Sequence, residues 1–538
     1  MTTKNDLQPA GRGIRQSMSS LHTWVGLLLG WFLYAMFLTG TVSYFKDELS
    51  QWMRPELSRL AEIPDQAMVA QRIADEFGET LPGATQWSIR LPDARNNSAY
   101  AFWRTRGAGQ RGFGEANFDP ATGQKVTSRD TMGGDFFYRF HFQFHYMPAV
   151  WGRWLAGAAA MFMLIAIVSG VITHKKIFID FFTFRGGKGQ RSWLDAHNAL
   201  SVFGLPFHFM ITYSGLVTLM ALYMPWGERA AFKTPVERQQ LNAELTAFIA
   251  PGKPSGQKMP LASIENMVRQ AQERWGRDNV GRVTAVNPGD ATARVAVARG
   301  EAGRVSMSPQ YMEFEGTTGK LLNVREDVGA AAETRGVVYA LHLGRFSDTV
   351  TRWFYFFVSF TGTAMVGTGL VMWIVKRRQK LAALARPNFG FHLVERLNIA
   401  TIAGLSIAMT AFLWSNRLLP QPLEGRAHWE IHAFFIVWAL TLLHAVVRPA
   451  RTAWIEQLWA AAALLFLLPV LNAITTQRPL WHSLAEGDWI FAGMDLMCWT
   501  LALLHAVLAI RIRRRSMSQS TGKTHRQAPT NVAGEAVA

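Results

Sequence analysis

Histidines stand at corresponding places in two halves of this chain. His22 begins one apolar run and His197 begins another, and in both runs a Ser/Thr-Gly pair places its glycine 18 residues after the histidine. Further on, a Tyr-Arg-Phe-His sequence ending at His141 is matched by Tyr-Ala-Leu-His ending at His342. A duplicated unit with imidazoles at both ends is typical of a membrane protein that holds a cofactor between its halves. Because two neutral imidazoles are a common axial ligand set for iron porphyrin, we predict bound haem.

Three histidines fall at the ends of the apolar runs that we expect to face the cytoplasm. They are His22, His174 and His197, and they come from three consecutive runs. The duplication favours His22 and His197 as the axial ligands of a first haem. His174, whose equivalent in the other half is Trp373, is either an alternate ligand, a partner of a haem propionate or an interfacial residue.

Three more histidines fall at the opposite ends of the runs. His141 and His145 are spaced by four residues, so a helix would carry them on one face. His342 is the repeat partner of His141. We predict a second haem held by His342 together with His145 or His141, and a zinc or other transition-metal ion bound by all three is the alternative.

His208 follows His197 by eleven residues on the same apolar run. Eleven residues advance a helix by about 16.5 Å and return to nearly the same face, so one helix would offer ligands at two depths. Leu33 stands at the matching position of the first half, which does not support a ligand there. His208 is therefore either a further haem ligand or a hydrogen-bonded interior histidine.

The chain contains a single cysteine, Cys498, and no Cys-x-x-Cys-His sequence. Covalent c-type haem and a cysteine-ligated iron–sulfur cluster are therefore excluded, and the expected cofactor is non-covalent haem b, in two copies. Near the C-terminus, Leu-Leu-His-Ala-Val occurs at both His444 and His505. We interpret these two histidines as structural, with a third haem or a quinone site as the alternative.

About eight apolar runs are long enough, or nearly so, to cross a bilayer as helices. The predicted fold class is therefore a mainly α, polytopic membrane protein. We expect transmembrane helices at 21–45, 150–174, 196–223 and 351–375, and four more within 397–510. The first run is 25 residues long and lacks a small-residue cleavage site, so we expect it to remain as an anchor.

The net charge of +17 is distributed over alternate connections, which indicates membrane topology and excludes nucleic acid as a partner. Basic clusters lie in the N-terminal segment, in three loops between runs and in the C-terminal tail. By the positive-inside rule we predict that these segments are cytoplasmic: 1–20, 175–195, 376–396, the loop at Arg448 and Arg451, and 511–538. The two long polar stretches, 46–149 and 224–350, are then periplasmic.

Each long stretch has the pattern of a small α+β module. An amphipathic helix, Gln66–Phe77 or Leu261–Trp275, precedes three short alternating runs. These runs are Trp87–Leu91, Ala99–Arg104 and Glu115–Phe118, then Val283–Val286, Ala293–Ala298 and Gln310–Phe314. A tight turn and a last strand follow. Neither module carries a recognisable catalytic set, so we expect binding or scaffolding.

A run of short motifs over about residues 15–385, taken as two copies, resembles the PepSY-associated transmembrane (PepSY_TM) family. The motifs are Leu21–Gly26, Thr39-Gly40, Asp119–Gly123, His141, Arg153-Trp154 and Ser169-Gly170. The resemblance implies an iron-regulated protein of the inner membrane of Gram-negative bacteria. With its four additional helices the chain is similar to the FoxB-type di-haem siderophore reductases, which implies reduction of ferric siderophores on the periplasmic side.

These observations predict an oxidoreductase, a ferric-siderophore reductase that receives electrons from a cytoplasmic or quinone donor. Arg139 and Arg345, near the outer histidines, would pair with propionates or attract an anionic substrate. One alternative is a non-enzymatic siderophore or metal transporter whose halves rock about a central site. Another is a periplasmic binding or regulatory protein, since PepSY modules resemble inhibitor propeptides.

Overall fold

The computed structural model of the protein describes residues 13–57, 62–96, 98–105, 112–174, 176–183, 185–187, 189–249, 252–381 and 388–524. The chain divides into two compact units, residues 1–375 and 376–538. The first unit contains the duplication, and the second contains the C-terminal helices. The mainly α, polytopic fold is confirmed, with antiparallel sheet confined to the first unit.

Among the described residues, six helices are long and apolar enough to cross a membrane, or eight if each of two bent helix pairs is one span. In the first unit the straight spans are α6 (Ala149–Thr173) and α15 (Thr349–Leu381). The bent pairs are α1 (Ile14–Leu28) with α2 (Gly30–Ser43), and α8 (Gln190–Phe203) with α9 (Leu205–Thr218).

The two bends correspond to one another in the repeat. They measure 65° and 68°, at Leu29 and Gly204, which each lie seven residues beyond the histidine of their own helix. Gly30 follows the first break, and Pro206 follows the second within the first turn of α9. Proline removes a backbone donor and glycine weakens a helix, so both breaks have a local cause. The predicted spans at 21–45 and 196–223 are thus both bent within their length.

A single antiparallel sheet of eight strands joins the two predicted modules. Its order is β4-β3-β2-β1-β5-β6-β7-β8. The strands are β1 (Ala84–Arg90), β2 (Ala99–Thr105), β3 (Phe113–Phe118), β4 (Lys125–Val126), β5 (Val280–Val286), β6 (Arg294–Arg299), β7 (Tyr311–Glu315) and β8 (Leu321–Arg325). The halves meet where β1 pairs with β5, and Ser88 and Thr284 face each other there with hydroxyls 2.9 Å apart. Each half thereby covers an edge strand of the other.

Helices α4 (Gln66–Thr80) and α13 (Ile264–Trp275) pack together against one face of this sheet. Their buried faces supply residues such as Ile73 and Met267, which contact Trp87 and Phe314 of the strands. The second helix begins three residues later than predicted because the Ser263 side chain accepts a hydrogen bond from the Asn266 amide and caps it. The helix and strand patterns of both modules are otherwise confirmed.

Short helices connect the sheet to the membrane spans or lie within the loops. They are α3 (Lys46–Trp52), α5 (Asp135–Gln143), α7 (Ile177–Asp180), α10 (Met220–Tyr223), α11 (Trp226–Ala231), α12 (Pro235–Thr246) and α14 (Ala330–Leu343). We call the end of the first unit's membrane helices that joins the sheet the outer end, and the opposite end the inner end.

The second unit is a bundle of membrane helices. It contains α16 (Phe389–Ile402), α17 (Gly404–Leu418), α18 (Arg426–Val447), α19 (Ala450–Thr475), α20 (Leu480–Ala485) and α21 (Trp489–Thr524). The pair α16 and α17 forms one span, so the four predicted spans are present. Arg426 and Glu430 are fully buried and form an ion pair, to which Asn416 adds a hydrogen bond. Charges buried in this way need such partners.

Candidate functional site

At the inner end, the rings of His22 and His197 face one another. Their centres are 6.2 Å apart and their planes cross at 71°. His22 lies on α1 and His197 on α8, which are repeat-related helices. The structure therefore brings together the two histidines that the duplication favoured.

Each inner ring is oriented by a backbone carbonyl of a neighbouring span. His22 Nδ1 lies 2.9 Å from the Ala166 carbonyl oxygen on α6, and His197 Nδ1 lies 2.9 Å from that of Met365 on α15. A carbonyl can only accept, so each Nδ1 must carry the hydrogen. Each Nε2 then keeps its lone pair, which is the tautomer that a metal-binding histidine needs.

At the outer end, His141 of α5 and His342 of α14 form a second pair. Their ring centres are also 6.2 Å apart, and their planes are tilted by 33°. His141 Nδ1 lies 2.6 Å from the Met36 carbonyl oxygen, and His342 Nδ1 lies 3.0 Å from the hydroxyl of Ser214. That hydroxyl donates its own hydrogen to the Met210 carbonyl, so it accepts from His342.

The outer histidines are held in the neutral form. Burial lowers the pKa of His141, and burial together with the neighbouring His141 lowers the pKa of His342 to about 3. A neutral imidazole can donate a lone pair to a metal, whereas a protonated one cannot. Both outer rings are therefore suited to coordination at neutral pH.

A glycine lies beneath each of the four rings, and it always follows Ser or Thr. A Cβ added at Gly40 would lie 2.7 Å from His141 Nδ1, and one at Gly215 would lie 3.0 Å from His342 Cε1. At Gly170 and Gly369 the corresponding distance to the Cε1 atom of His22 and of His197 is 3.2 Å in each case. Any side chain at these glycines would press on the ring, so the Ser/Thr-Gly pair gives the histidine access to the helix backbone.

The spacing of 6.2 Å in both pairs leaves room for one metal atom between the imidazoles. A metal about 2.0 Å from each Nε2, with each ring centre roughly 1.1 Å beyond that atom, gives ring centres about 6.2 Å apart. Each pair of rings thus has the separation that two imidazoles would have if both bound one metal atom.

The outer pair lines a cavity of about 310 Å³. Apolar and small residues line much of this cavity, among them Leu33, Met36, Phe37, Ala156, Gly157 and Met163. Charged residues also line it, namely Lys46, Asp47, Arg95, Arg153 and Arg345. A cavity with apolar walls, two imidazoles and several charges suits a flat, largely apolar ligand that carries anionic groups.

Two predicted ligands belong to neither pair, although His174 lies close enough to His197 to interact with it electrostatically. His174 ends α6, and its Nε2 lies 3.2 Å from the side-chain nitrogen of Asn198. The predicted helical spacing of His141 and His145 is wrong, because α5 ends at Gln143 and Phe144 has a φ of 55°. The His145 ring instead contacts Tyr146 and Phe136.

His208 is buried between the two pairs. Its Nε2 lies 3.3 Å from the Val358 carbonyl oxygen, and a Cβ at Gly362 would lie 3.1 Å from the same nitrogen. Gly362 follows Thr361, so this ring repeats the arrangement of the four paired rings. The first half has Leu33 in place of the histidine and Met163 in place of the glycine, so both members of the contact are absent there.

A zinc site made from the outer histidines lacks the necessary geometry. In the described ranges, no group of three or more His, Cys, Asp or Glu side chains is placed to hold a metal ion. The paired arrangement of His141 and His342 therefore accounts for the outer histidines better than a three-ligand site does.

The histidines of the second unit have partners within that unit. His444 Nε2 lies 2.9 Å from a Glu456 carboxylate oxygen, and its Nδ1 lies 3.2 Å from the side-chain nitrogen of Gln457. His505 Nδ1 lies 2.7 Å from the Leu501 carbonyl oxygen of its own helix. These contacts agree with the structural interpretation of both residues.

The sequence predicts the inner pair and leaves His145 or His141 as the partner of His342, but it does not predict how the rings are held. Thr368-Gly369 was not singled out, nor was Thr361-Gly362, although both stand in α15. The sequence pattern that predicts these glycines is a Ser/Thr-Gly pair that recurs in apolar helices. Each such helix also carries a histidine or faces one.

Comparison with known proteins agrees with the duplicated architecture. No curated protein matches the chain. The family model described as the PepSY-associated TM region matches residues 19–376, which include most of the first bent helix pair, all of the second, the whole sheet and all four paired histidines. This multi-pass membrane protein therefore belongs to the PepSY_TM family.

Proposed function

We propose that this protein is a haem-containing reductase of the bacterial inner membrane that carries electrons across the bilayer to a ferric siderophore. The observation that carries the proposal is the presence of two histidine pairs with the same 6.2 Å separation, one at each end of the same membrane helices. The predicted topology places the inner pair on the cytoplasmic side and the outer pair on the periplasmic side.

The residues present fit two haem b groups. His22 with His197 and His141 with His342 would hold them, because each ring keeps Nε2 available once Nδ1 is engaged. Cys498 is buried in α21 of the other unit, which agrees with non-covalent binding. When bound, haem supplies a one-electron Fe(III)/Fe(II) couple.

The protein would contribute the ligands of the two haem groups, their burial and the distance between them. Along α15, Ser359 lines the outer cavity and Met365 orients an inner ring. Six residues of helix rise by about 9 Å, so the two sites follow one another closely through the membrane. Largely apolar walls surround the outer pair, three of the rings are oriented by backbone carbonyls, and the fourth is oriented by the Ser214 hydroxyl.

A ferric siderophore is the substrate that the family resemblance favours. Such chelators bind Fe(III) through anionic oxygens far more tightly than Fe(II), so transfer of one electron to the metal releases it. This reaction needs neither a nucleophile nor a general acid, which agrees with a sheet that carries no recognisable catalytic set. The electron donor is proposed to be a cytoplasmic protein or a membrane quinol.

One observation favours the alternative of a transporter. Both repeat-related spans are broken at equivalent positions, with bends of 65° and 68°, and broken helices are frequent around transport sites. The breaks, however, lie seven residues from His22 and His197. The rings of these two histidines face one another, and a transport site does not require such an arrangement.

Absorbance spectroscopy of the purified full chain tests the proposal. We expect a Soret band, sharp α and β bands after reduction with dithionite, and reoxidation of the reduced protein by a ferric siderophore under anaerobic conditions. A colourless, correctly folded protein would overturn the reductase proposal and leave the transporter. A coloured protein that ferric chelates do not reoxidise would refute the substrate.

A further inference from the structure

Two arginines at the outer cavity form no ion pair with a carboxylate among the described residues, although Glu48 and Asp47 lie near enough to Arg95 to interact with its charge. Arg95 donates only to the carbonyl oxygens of Arg345 and Tyr44, at 3.4 and 3.2 Å. Arg153 donates to the side-chain oxygen of Gln143 at 3.1 Å. The Nε atom of each arginine is buried and has no hydrogen-bond partner among the described residues, and both side chains line the cavity that contains the outer histidines.

The other cations of this cavity are paired. Lys46 lies 2.8 Å from Asp47 and 3.1 Å from Asp135, and Arg345 lies 3.0 Å from Glu301. Of the two arginines named from the sequence, Arg345 is therefore already neutralised. Arg139, the other one, is exposed and does not line the cavity.

The duplication shows what Arg153 lacks. Its repeat equivalent, Arg352, stands at the same distance before a Ser/Thr-Gly pair and forms an ion pair with Glu48. Glu48 lies eight residues after Gly40, and the residue eight after Gly215 is Tyr223. Arg153 thus has a tyrosine where its counterpart has a carboxylate, and the hydroxyl of Tyr223 bonds to the Arg153 backbone.

A partly buried guanidinium with an unsatisfied N–H is costly, and the usual compensation is an anion held by charge-assisted hydrogen bonds. Two such groups in one cavity indicate two anionic groups. The walls between them are largely apolar, so the anions should belong to one apolar ligand.

We infer that Arg95 and Arg153 each bind one carboxylate of the ligand in the outer cavity. Resting on the proposed function, these carboxylates are the two propionates of the haem held by His141 and His342. The second source of the same chemistry is an anionic ferric chelate that enters the cavity as substrate. The arginines would then serve substrate binding and not cofactor binding.

Exchange of the cofactor distinguishes these sources. The full chain in nanodiscs is compared with its Arg95→Gln and Arg153→Gln variants, and Arg139→Gln is the matched control at an exposed arginine. We expect haem to transfer to apomyoglobin about 10- to 100-fold faster from each cavity variant, as expected for loss of a charge-assisted hydrogen bond, and at the unchanged rate from the control. The midpoint potential of the outer haem should fall, because a nearby positive charge is removed.

Protoporphyrin IX without iron, and its dimethyl ester, test the carboxylates directly. We expect the wild-type protein to bind the free acid at least about tenfold more tightly than the ester, and the double variant to bind both alike. Two results together would overturn the inference. The wild-type protein would bind the acid and the ester equally, and replacement of the arginines would not change the binding of an anionic ferric chelate. If the variants raise only the KM for an anionic chelate, the anion is the substrate.

Failure of the proposed function gives a different result. A wild-type protein that binds no haem refutes the proposed reductase. Binding of the iron-free porphyrin is expected to depend on the arginines and not on the histidines, because this porphyrin has no metal for imidazole to coordinate. Its preference for the acid form therefore supports or refutes the inference independently.

Discussion

His208 donates its Nε2–H to the carbonyl oxygen of Val358, 3.3 Å away, and belongs to neither histidine pair. Its aromatic neighbours are Phe37 and Phe207, and no second imidazole faces it within the described ranges. Along the chain it lies seven residues before Gly215, and its contact Gly362 lies seven residues before Gly369. It therefore stands midway between the two pairs as an interior histidine.

Replacement of His208 should leave both haems in place. His208→Leu introduces the residue that the first half has at this position, Leu33. We expect an unchanged haem content per chain in the pyridine haemochrome assay, because neither pair loses a ligand. Loss of one haem equivalent would show that His208 is an axial ligand and would contradict the assignment.

The four paired histidines should behave as two independent sets. His22→Ala or His197→Ala should remove one haem equivalent, and the double variant should remove no more. His141→Ala and His342→Ala should do the same for the other equivalent, whereas His22→Ala with His141→Ala should remove both. Haem content and reduced spectra measure this, with the exposed His482→Ala as control. Unchanged content in all four single variants would refute the ligand assignments.

The less clearance there is between a glycine and the ring above it, the more its replacement by alanine should weaken haem retention. Gly40→Ala places a methyl group 2.7 Å from His141 Nδ1, and Gly170→Ala places one 3.2 Å from His22 Cε1. Overpacking of this kind costs about 1–3 kcal/mol, so we expect weaker haem retention, more so for Gly40→Ala. Gly26→Ala is the control, since nothing lies within 4 Å of its added methyl group. Electron paramagnetic resonance of the ferric protein would report the altered axial field, and identical spectra for the three variants would contradict the proposed role.

Cysteine labelling should establish the orientation. Cys498 is buried, so it gives little background for labels at new positions. Ala121 lies in an exposed turn of the sheet, and Ser17 is exposed near the start of α1. The two labelling sites are therefore Ala121→Cys and Ser17→Cys. A membrane-impermeant maleimide should label position 121 in spheroplasts and position 17 only after lysis. The reverse pattern would place the sheet in the cytoplasm and invalidate the proposed direction of electron flow.

Much of this fold was predictable because its determinants are local. Apolar runs long enough for a bilayer identified the spans, and the alternation of apolar residues identified strands around Trp87 and Val283. The duplication favoured His22 with His197, because an internal repeat compares two versions of one unit, and for the outer site it left His342 with either His145 or His141.

Tertiary structure decided what no local pattern contains. Strands β1 and β5, each at the edge of its own half of the sheet, are separated by nearly two hundred residues. Their pairing joins the two predicted modules into one sheet. His145 lost its expected place beside His141 because the backbone turns at Phe144. The orientation of each ring depends on a carbonyl or hydroxyl oxygen and on a glycine from another helix. The missing counter-ion of Arg153 depends on which side chains surround it. Such contacts arise from packing between distant segments, so only the folded chain determines them.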